Sequence, residues 1–150
     1  MDMTPEISLE LRKSFERVET QGHVAALVFY QRLFALDPAL RPLFKTDIES
    51  QAKKLIEMIG AALALLERPA ELRVTLEQLG ARHVAYGVQP EHYDTVGAAL
   101  LAMLSAVLGD EFTPPVRAAW TELYDLISTT MLAGAAKVTP PQVQTAAIAR

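Results

Sequence analysis

Six stripes of apolar residues, separated by proline and glycine, constrain the fold of this chain more than any other feature. Within each stripe the apolar residues recur three or four positions apart, which places them on one face of an α-helix. We therefore predict an all-α fold in which each helix buries one face in a common core. The stripes cover residues 7–18, 27–34, 52–66, 72–83, 93–107 and 116–131.

Capping residues predict where several helices begin and end. Thr4 followed by Pro5 is typical of an N-cap and a first helical position, where the missing N–H of proline costs nothing. Thr46 and Glu49 have the spacing of a capping box, in which each side chain accepts a hydrogen bond from the other residue's backbone N–H. Gly109 is expected to follow the fifth helix as its C-terminal cap.

Proline and glycine also predict the remaining boundaries and the domain division. We expect the fourth helix to run from about residue 72 to residue 85, and the last helix to end near Gly134. At 150 residues the chain has the length of one domain. Residues 1–137 are assigned to that domain, and residues 138–150 to a flexible C-terminal tail rich in alanine, glutamine and proline.

Composition excludes several classes of protein. Fourteen lysine and arginine residues stand against 18 aspartate and glutamate residues, a net charge of −4, with no basic run that could follow a phosphate backbone. The chain has no cysteine, which excludes disulfides, cysteine-ligated zinc, iron–sulfur clusters and covalent haem attachment. Neither a signal peptide nor an uninterrupted apolar run of membrane-spanning length is visible. We expect a cytoplasmic protein that binds neither nucleic acid nor membranes.

His83 is the first candidate for chemistry. It continues the apolar stripe of Leu72, Leu76 and Leu79, so its ring should point inward, where an unpaired imidazole would lose its hydration at a cost. One interpretation is a core histidine that is hydrogen-bonded to a backbone carbonyl. The other is an axial ligand to a buried metal cofactor, and the stripe alone does not separate the two.

Tyr30 and Gln51 are polar residues on otherwise apolar helix faces. Tyr30 lies where a buried phenol needs a hydrogen-bond partner, and Gln51 lies one turn before Leu55. The alternatives are an aromatic ring whose hydroxyl reaches the surface and a solvated glutamine in a first helical turn. Together with His83, the two residues describe an apolar slot with a metal ligand on one side and two donors on the other.

Several segments resemble the globins, in the lineage that holds flavohaemoglobin haem domains, single-domain bacterial globins and neuroglobin. Residues 79–88 (LGARHVAYGV) are similar to the proximal-histidine segment of that family, and YDTVG, FTP and AAW follow in the family's order. Upstream, FYQRLF, DP and LF are similar to its distal half. The resemblance covers about residues 5–135. It implies the globin fold, a three-over-three sandwich of helices around a pocket for non-covalent haem b.

The resemblance implies a role for each matching residue. His83 is the expected iron ligand, and Phe44 is expected to wedge against the haem ring. Tyr30 and Gln51 become the distal hydrogen-bonding pair that stabilises a bound gas. For Lys54 a contact to a haem propionate is implied, with a solvated surface lysine as the alternative. The other expected haem contacts are Leu55, Leu79, Val88, Tyr93, Val96 and Leu100.

Two departures from the family narrow the expected chemistry. Residues 132–135 (LAGA) carry no acid where a flavohaemoglobin has a glutamate that strengthens the proximal histidine, which argues against peroxidase-like activation of dioxygen. Neither His23 nor His92 falls at the distal position, so we expect no iron ligated by two histidines.

The resemblance implies a haem globin that binds dioxygen reversibly and tightly, for storage, delivery or scavenging, with carbon monoxide and nitric oxide as further ligands. The alternative is a nitric oxide dioxygenase. Because 150 residues leave no room for a flavin domain beside the helices, we expect a separate reductase to supply its electrons. A gas sensor or interaction module is a third interpretation. The chain is expected to be a monomer or a homodimer.

Overall fold

A computed structural model describes residues 4–44 and 47–138, which form helices and no strand. Two short 3-10 helices, Pro38–Leu43 and Gly109–Glu111, follow the second and fifth α-helices. The all-α prediction is confirmed. The α-helices are α1 (Pro5–Thr20), α2 (Gly22–Leu36), α3 (Ile48–Ala64), α4 (Pro69–Ala85), α5 (His92–Leu108) and α6 (Pro114–Val138).

The most extensive helix contacts are those of α4 with α6 and of α2 with α5. α2 packs on both α5 and α3, and α1 packs on α6. α4 differs from the rest, because α6 is its only extensive packing partner among the described elements. Among the described elements α4 has no extensive packing against α2 or α3, and we call the region between α4 and the α2–α3 pair the slot.

A buried hydrogen-bonded group joins α1 to α6 in the core. The indole Nε1 of Trp120 donates to the hydroxyl of Ser14 at 2.8 Å, and that hydroxyl lies 2.6 Å from the carbonyl oxygen of Glu10, to which it donates. Trp120 is 1% exposed, so this pairing satisfies a polar group that water cannot reach. The other large side chains that are fully buried are Leu11, Val18, Leu33, Leu76, Met103, Leu104 and Leu123.

The predicted caps are confirmed at two helix ends and shifted at a third. Thr4 accepts a hydrogen bond from the Ile7 N–H, and Gly109 has a φ of 55° after α5. The N-cap of α3 is Asp47, whose carboxylate accepts from the Ser50 N–H at 2.9 Å. The N-cap predicted at residue 46 is therefore wrong by one position. Aspartate serves at this position because its carboxylate caps a helix as well as a threonine hydroxyl does. Thr46 itself lies outside the described residues.

Three further predictions are corrected. α4 begins at Pro69, where proline fits the first helical position, rather than near residue 72. α6 does not end near Gly134 but continues to Val138, because Gly134 is buried inside a helix contact. Leu27, part of the second apolar stripe, is 40% exposed, and the neighbouring Ala25 and Ala26 are buried in its place.

The predicted tail falls almost wholly on residues 139–150, which are outside the described ranges, so the division at residues 137/138 stays a prediction. One helical stretch, His92–Glu111, is long and apolar enough to cross a membrane by length and composition alone. The prediction that no apolar run reaches membrane-spanning length is corrected by this stretch. Leu100, Met103 and Leu104 of this stretch are buried in the core, which accounts for its apolar composition.

Candidate functional site

His83 lies in the last turn of α4, beside the line along which α4 contacts α6. Leu76 and Gly80 on that line are buried, whereas Leu79 and His83 are half-buried and border the slot. The Nδ1 atom of His83 lies 2.8 Å from the carbonyl oxygen of Leu79. When Nδ1–H donates to this carbonyl, the lone pair of the ring stays on Nε2, which is the atom that a neutral histidine offers to a metal.

The surroundings of His83 favour the neutral form of its ring. Burial lowers the pKa of His83, the hydrogen bond to the Leu79 carbonyl opposes that change, and the positive charge of Arg82 adds to the lowering. The ring of Tyr86 lies 5.4 Å away, centroid to centroid. These contacts suit a core histidine as well as a metal ligand, so the rest of the slot has to distinguish the two.

Tyr30 and Gln51 are brought together where α2 meets α3. The Tyr30 hydroxyl donates to the backbone carbonyl of Gln51 at 3.3 Å. Tyr30 is 5% exposed, so its hydroxyl has a partner inside the protein instead of reaching solvent. Burial raises the pKa of Tyr30 to about 12, which keeps the phenol protonated and able to donate at neutral pH. Gln51 itself is half-buried in the first turn of α3.

An aromatic cluster holds the Tyr30 ring in place. Phe44 and Phe29 pack edge-on against it, with centroid distances of 5.3 and 4.9 Å, and Phe34 stacks on it at 5.9 Å. Phe34 also contacts Phe44 at 5.4 Å. Such pairs contribute about 0.5–1.5 kcal/mol each beyond the area they bury. Phe34 was not expected in the site, although its position one turn after Tyr30 was a visible signal.

Leu43 approaches the turn that follows α4. A Cβ atom built on Gly87 would lie 3.2 Å from Cδ2 of Leu43, so the residue before Phe44 contacts the turn that follows α4. Gly87 has a φ of +90°, which side chains other than glycine rarely adopt, and the Val88 N–H donates to the carbonyl of His83 in the same turn. Sequence reasoning did not identify this contact, and nothing in the local pattern of Leu43 would have shown it.

The remaining predicted contacts divide by burial. Tyr93 and Leu100 are buried, and Lys54 is exposed. The others pack against the core yet stay half-buried, as expected for the walls of an open slot rather than for the inside of a closed core. These half-buried residues are Phe44, Leu55, Leu79, Val88 and Val96.

α6 holds the first turn of α5 at the edge of this site. The Tyr124 hydroxyl donates to the carbonyl of Tyr93 at 2.5 Å, and burial raises the pKa of Tyr124. A Cβ atom on Gly97 would lie 2.7 Å from Cε2 of the Tyr124 ring. α6 therefore approaches α5 closely at Gly97. Tyr124 was missed, because the sequence does not show which side chain fills the space that a glycine leaves.

The side chains around the slot have the chemistry that a non-covalent porphyrin needs. A porphyrin brings its own nitrogen donors to iron, so one neutral imidazole from the protein suffices, and Nε2 of His83 provides it. The half-buried apolar walls suit the ring, and the α2–α3 side carries the donor Tyr30. Among the described residues no group of three or more histidine and acidic side chains could hold a metal ion.

Comparison with known proteins gives one consistent family. The Globin family model matches residues 27–131, a segment that contains all of the predicted site residues. The chain is 32% identical over 117 residues to a flavohemoprotein of Vibrio cholerae, covering 76% of this chain and 30% of that protein. It is 34% identical over 103 residues to a flavohemoprotein of Rhodopirellula baltica, covering 67% of this chain and 25% of that protein.

A second kind of relative matches over almost its whole length. Neuroglobin of Chaenocephalus aceratus is 32% identical over 141 residues, which covers 85% of this chain and 89% of that protein. The chain thus spans only 30% and 25% of the two flavohemoproteins but most of the neuroglobin.

Proposed function

This chain belongs to the globin family, and we propose that it holds a non-covalent haem b on His83 and binds dioxygen reversibly and tightly. One observation carries the proposal: His83 borders the slot from α4, while Tyr30 and Gln51 meet on the α2–α3 side. A histidine that only filled the core would need neither hydrogen-bond donors nor half-buried apolar side chains around the same space.

Each residue around the slot has a proposed task. Haem, when bound, supplies an iron atom with an open coordination position for a diatomic gas. His83 contributes a neutral Nε2, and the Leu79 carbonyl fixes its tautomer and ring orientation, as hydrogen-bond acceptors commonly do for the other ring nitrogen of a ligating histidine. Phe44 and Leu55 keep the space apolar and limit the access of water.

Tyr30 and Gln51 are the proposed source of tight gas binding. The Tyr30 hydroxyl lies 3.3 Å from the Gln51 carbonyl, which is long for a hydrogen bond between oxygens, so exchanging this partner for a ligand costs little. Dioxygen gains negative charge in a haem pocket, and a donor that is already oriented in an apolar surrounding stabilises such charge. The side-chain amide of Gln51 is the proposed second donor.

The test is the absorption spectrum and the dioxygen kinetics of the purified protein. We expect a Soret band after expression or reconstitution with haem b, a five-coordinate deoxygenated ferrous form, and slow dioxygen dissociation in stopped flow. A protein that takes up no haem would overturn the proposal. A six-coordinate low-spin ferrous form without added ligand would instead contradict the expected absence of a second histidine ligand.

The similarity to flavohemoproteins favours a second candidate, a nitric oxide dioxygenase. Such an enzyme converts nitric oxide and dioxygen to nitrate, and a reductase returns the electron that each turnover consumes. The two functions use the same slot, so steady-state kinetics must separate them. Sustained nitric oxide consumption with NADH and a reductase fraction would support the enzyme, whereas one turnover followed by accumulation of the ferric form would favour binding alone.

A further inference from the structure

α4 and α6 cross with their backbones in direct contact, close to His83. A Cβ atom built on Gly80 would lie 1.9 Å from the carbonyl oxygen of Met131, and one built on Gly134 would lie 2.0 Å from the carbonyl oxygen of Glu77. Each glycine therefore faces the backbone of the other helix, with the same three-residue offset on both sides. No side chain fits at either position. We call this contact the Gly80–Gly134 crossing.

An ion pair spans the same crossing. The Nζ atom of Lys137 lies 2.8 Å from Oε1 of Glu77, and this hydrogen bond is the main reason that the pKa of Glu77 is lowered. Both partners are partly solvated, so the pair contributes little by itself. Lys137 lies three residues after Gly134 and Glu77 lies three residues before Gly80, so the ion pair is within one turn of the glycine on each helix.

We propose that the Gly80–Gly134 crossing positions His83 and thereby sets where the iron ligand stands in the slot. Gly80 precedes His83 by less than one turn and follows Leu79, whose carbonyl orients the His83 ring. Because α6 is the only extensive partner of α4 in the described part of the chain, no other helix packs extensively on α4 to oppose a shift that starts at the crossing. This inference rests on the proposed haem function.

The physical requirement is tight placement. A ligand side chain has to be held within about half an ångström of its working position, and an error of about 1 Å can cost two orders of magnitude in function. A methyl group at Gly80 would have to move more than 1 Å away from the carbonyl oxygen of Met131 to reach an ordinary contact distance.

The first test is Gly80→Ala in the haem-loaded full chain, with two readouts that do not depend on activity. We expect the iron–histidine stretching band of the deoxygenated ferrous form to shift in resonance Raman spectra. We also expect haem to transfer to an acceptor apoprotein about tenfold faster or more. Gly60→Ala on α3 is the matched control, because its Cβ would meet only the Phe15 ring at an ordinary 3.4 Å.

A second variant covers the case in which Gly80→Ala does not fold. Lys137→Glu keeps both glycines but places two carboxylates across the crossing. Because the Lys137 side chain is exposed, we expect this variant to fold. The same two readouts should change in the same direction by a smaller amount. Arg12→Glu, an exposed charge reversal on α1, controls for net charge.

The outcomes separate the two proposals. If the wild-type protein takes up no haem, the proposed function fails. If the wild type binds haem and the two crossing variants give wild-type Raman bands and haem transfer rates, the positioning role is wrong. Far-UV circular dichroism and the thermal midpoint of each apoprotein show which variants are folded. If Gly80→Ala is not folded, Lys137→Glu alone decides.

Discussion

The Nδ1 atom of His83 lies 2.8 Å from the carbonyl oxygen of Leu79, one turn earlier in α4. The hydrogen bond selects the tautomer that leaves Nε2 unprotonated, and burial lowers the pKa of the ring so that it stays neutral. The unprotonated Nε2 of His83 is therefore available to a metal ion. The Leu79 carbonyl that orients the ring belongs to the backbone, so a side-chain substitution cannot remove it.

Replacing His83 with alanine should abolish stable haem retention, because neither of the other two histidines, His23 and His92, is among the residues assigned to the slot. Gel filtration followed by the ratio of Soret to protein absorbance measures the loss. Added imidazole should restore part of the band, since it can occupy the vacated space as a free ligand. His23→Ala, on an exposed residue, is the matched control and should retain haem. A variant His83→Ala with the wild-type ratio would refute the assignment.

Tyr30→Phe should speed dioxygen dissociation, because the variant keeps the aromatic cluster and removes only the donor. A lost hydrogen bond of about 1–3 kcal/mol corresponds to up to roughly a hundredfold in rate. Gln51→Leu should act in the same direction, and stopped-flow displacement by carbon monoxide measures both. Tyr86→Phe, which removes a hydroxyl from a residue that is 53% exposed, is the control. Unchanged rates in both pocket variants would contradict the proposed donor pair.

The raised pKa of Tyr30 predicts how the stability of the apoprotein depends on alkaline pH. The folded protein holds the phenol proton to about pH 12, whereas the unfolded chain releases it near pH 10. The contribution is therefore complete below pH 10 and is lost as the pH rises from 10 to 12, by up to about 1.4 kcal/mol per pH unit.

Urea unfolding of the apoprotein at a series of pH values checks this slope. Tyr30→Phe should lose less stability than the wild type above pH 10. The buried Tyr124 retains its own contribution in both proteins, because its pKa is raised as well. Equal slopes for the two proteins would mean that the Tyr30 phenol is not buried as described.

The sequence predicted the helices well because their signals are local. The stripe of Val116, Trp120 and Leu123 repeats with helical spacing, and all three residues are buried in α6. Thr4 was found as an N-cap for the same reason, since the cap depends on its own hydrogen bond to the next turn. His83, Tyr30 and Gln51 could be named from their positions on apolar faces together with the family resemblance.

Contacts between helices were harder to predict, because a glycine does not show what occupies the space beside it. Gly134 was taken as a helix end, but it lies inside α6 where that helix meets the backbone of Glu77. Leu27 fits the spacing of its stripe as well as its buried neighbours do, and only the packing of α2 leaves it exposed. Such outcomes depend on the arrangement of several elements at once.

Gly97→Ala tests one of these contacts directly. The new methyl group would lie 2.7 Å from Cε2 and 3.0 Å from Cδ2 of the Tyr124 ring, so the ring or the helix must move. Overpacking of this kind costs about 1–3 kcal/mol, which exceeds the gain of up to about 1 kcal/mol that alanine brings to a helix interior. We therefore expect the variant to unfold at a lower urea concentration than the wild type.

Gly60→Ala gives the opposite expectation and serves as the control. Its methyl group meets the Phe15 ring at 3.4 Å, so the helix propensity of alanine should raise the unfolding midpoint. Tyr124→Phe removes the hydroxyl that donates to Tyr93 and should cost about 0.5–1.5 kcal/mol without any overpacking. If Gly97→Ala and Gly60→Ala changed the unfolding midpoint equally, the close approach of α6 to α5 at Gly97 would be wrong.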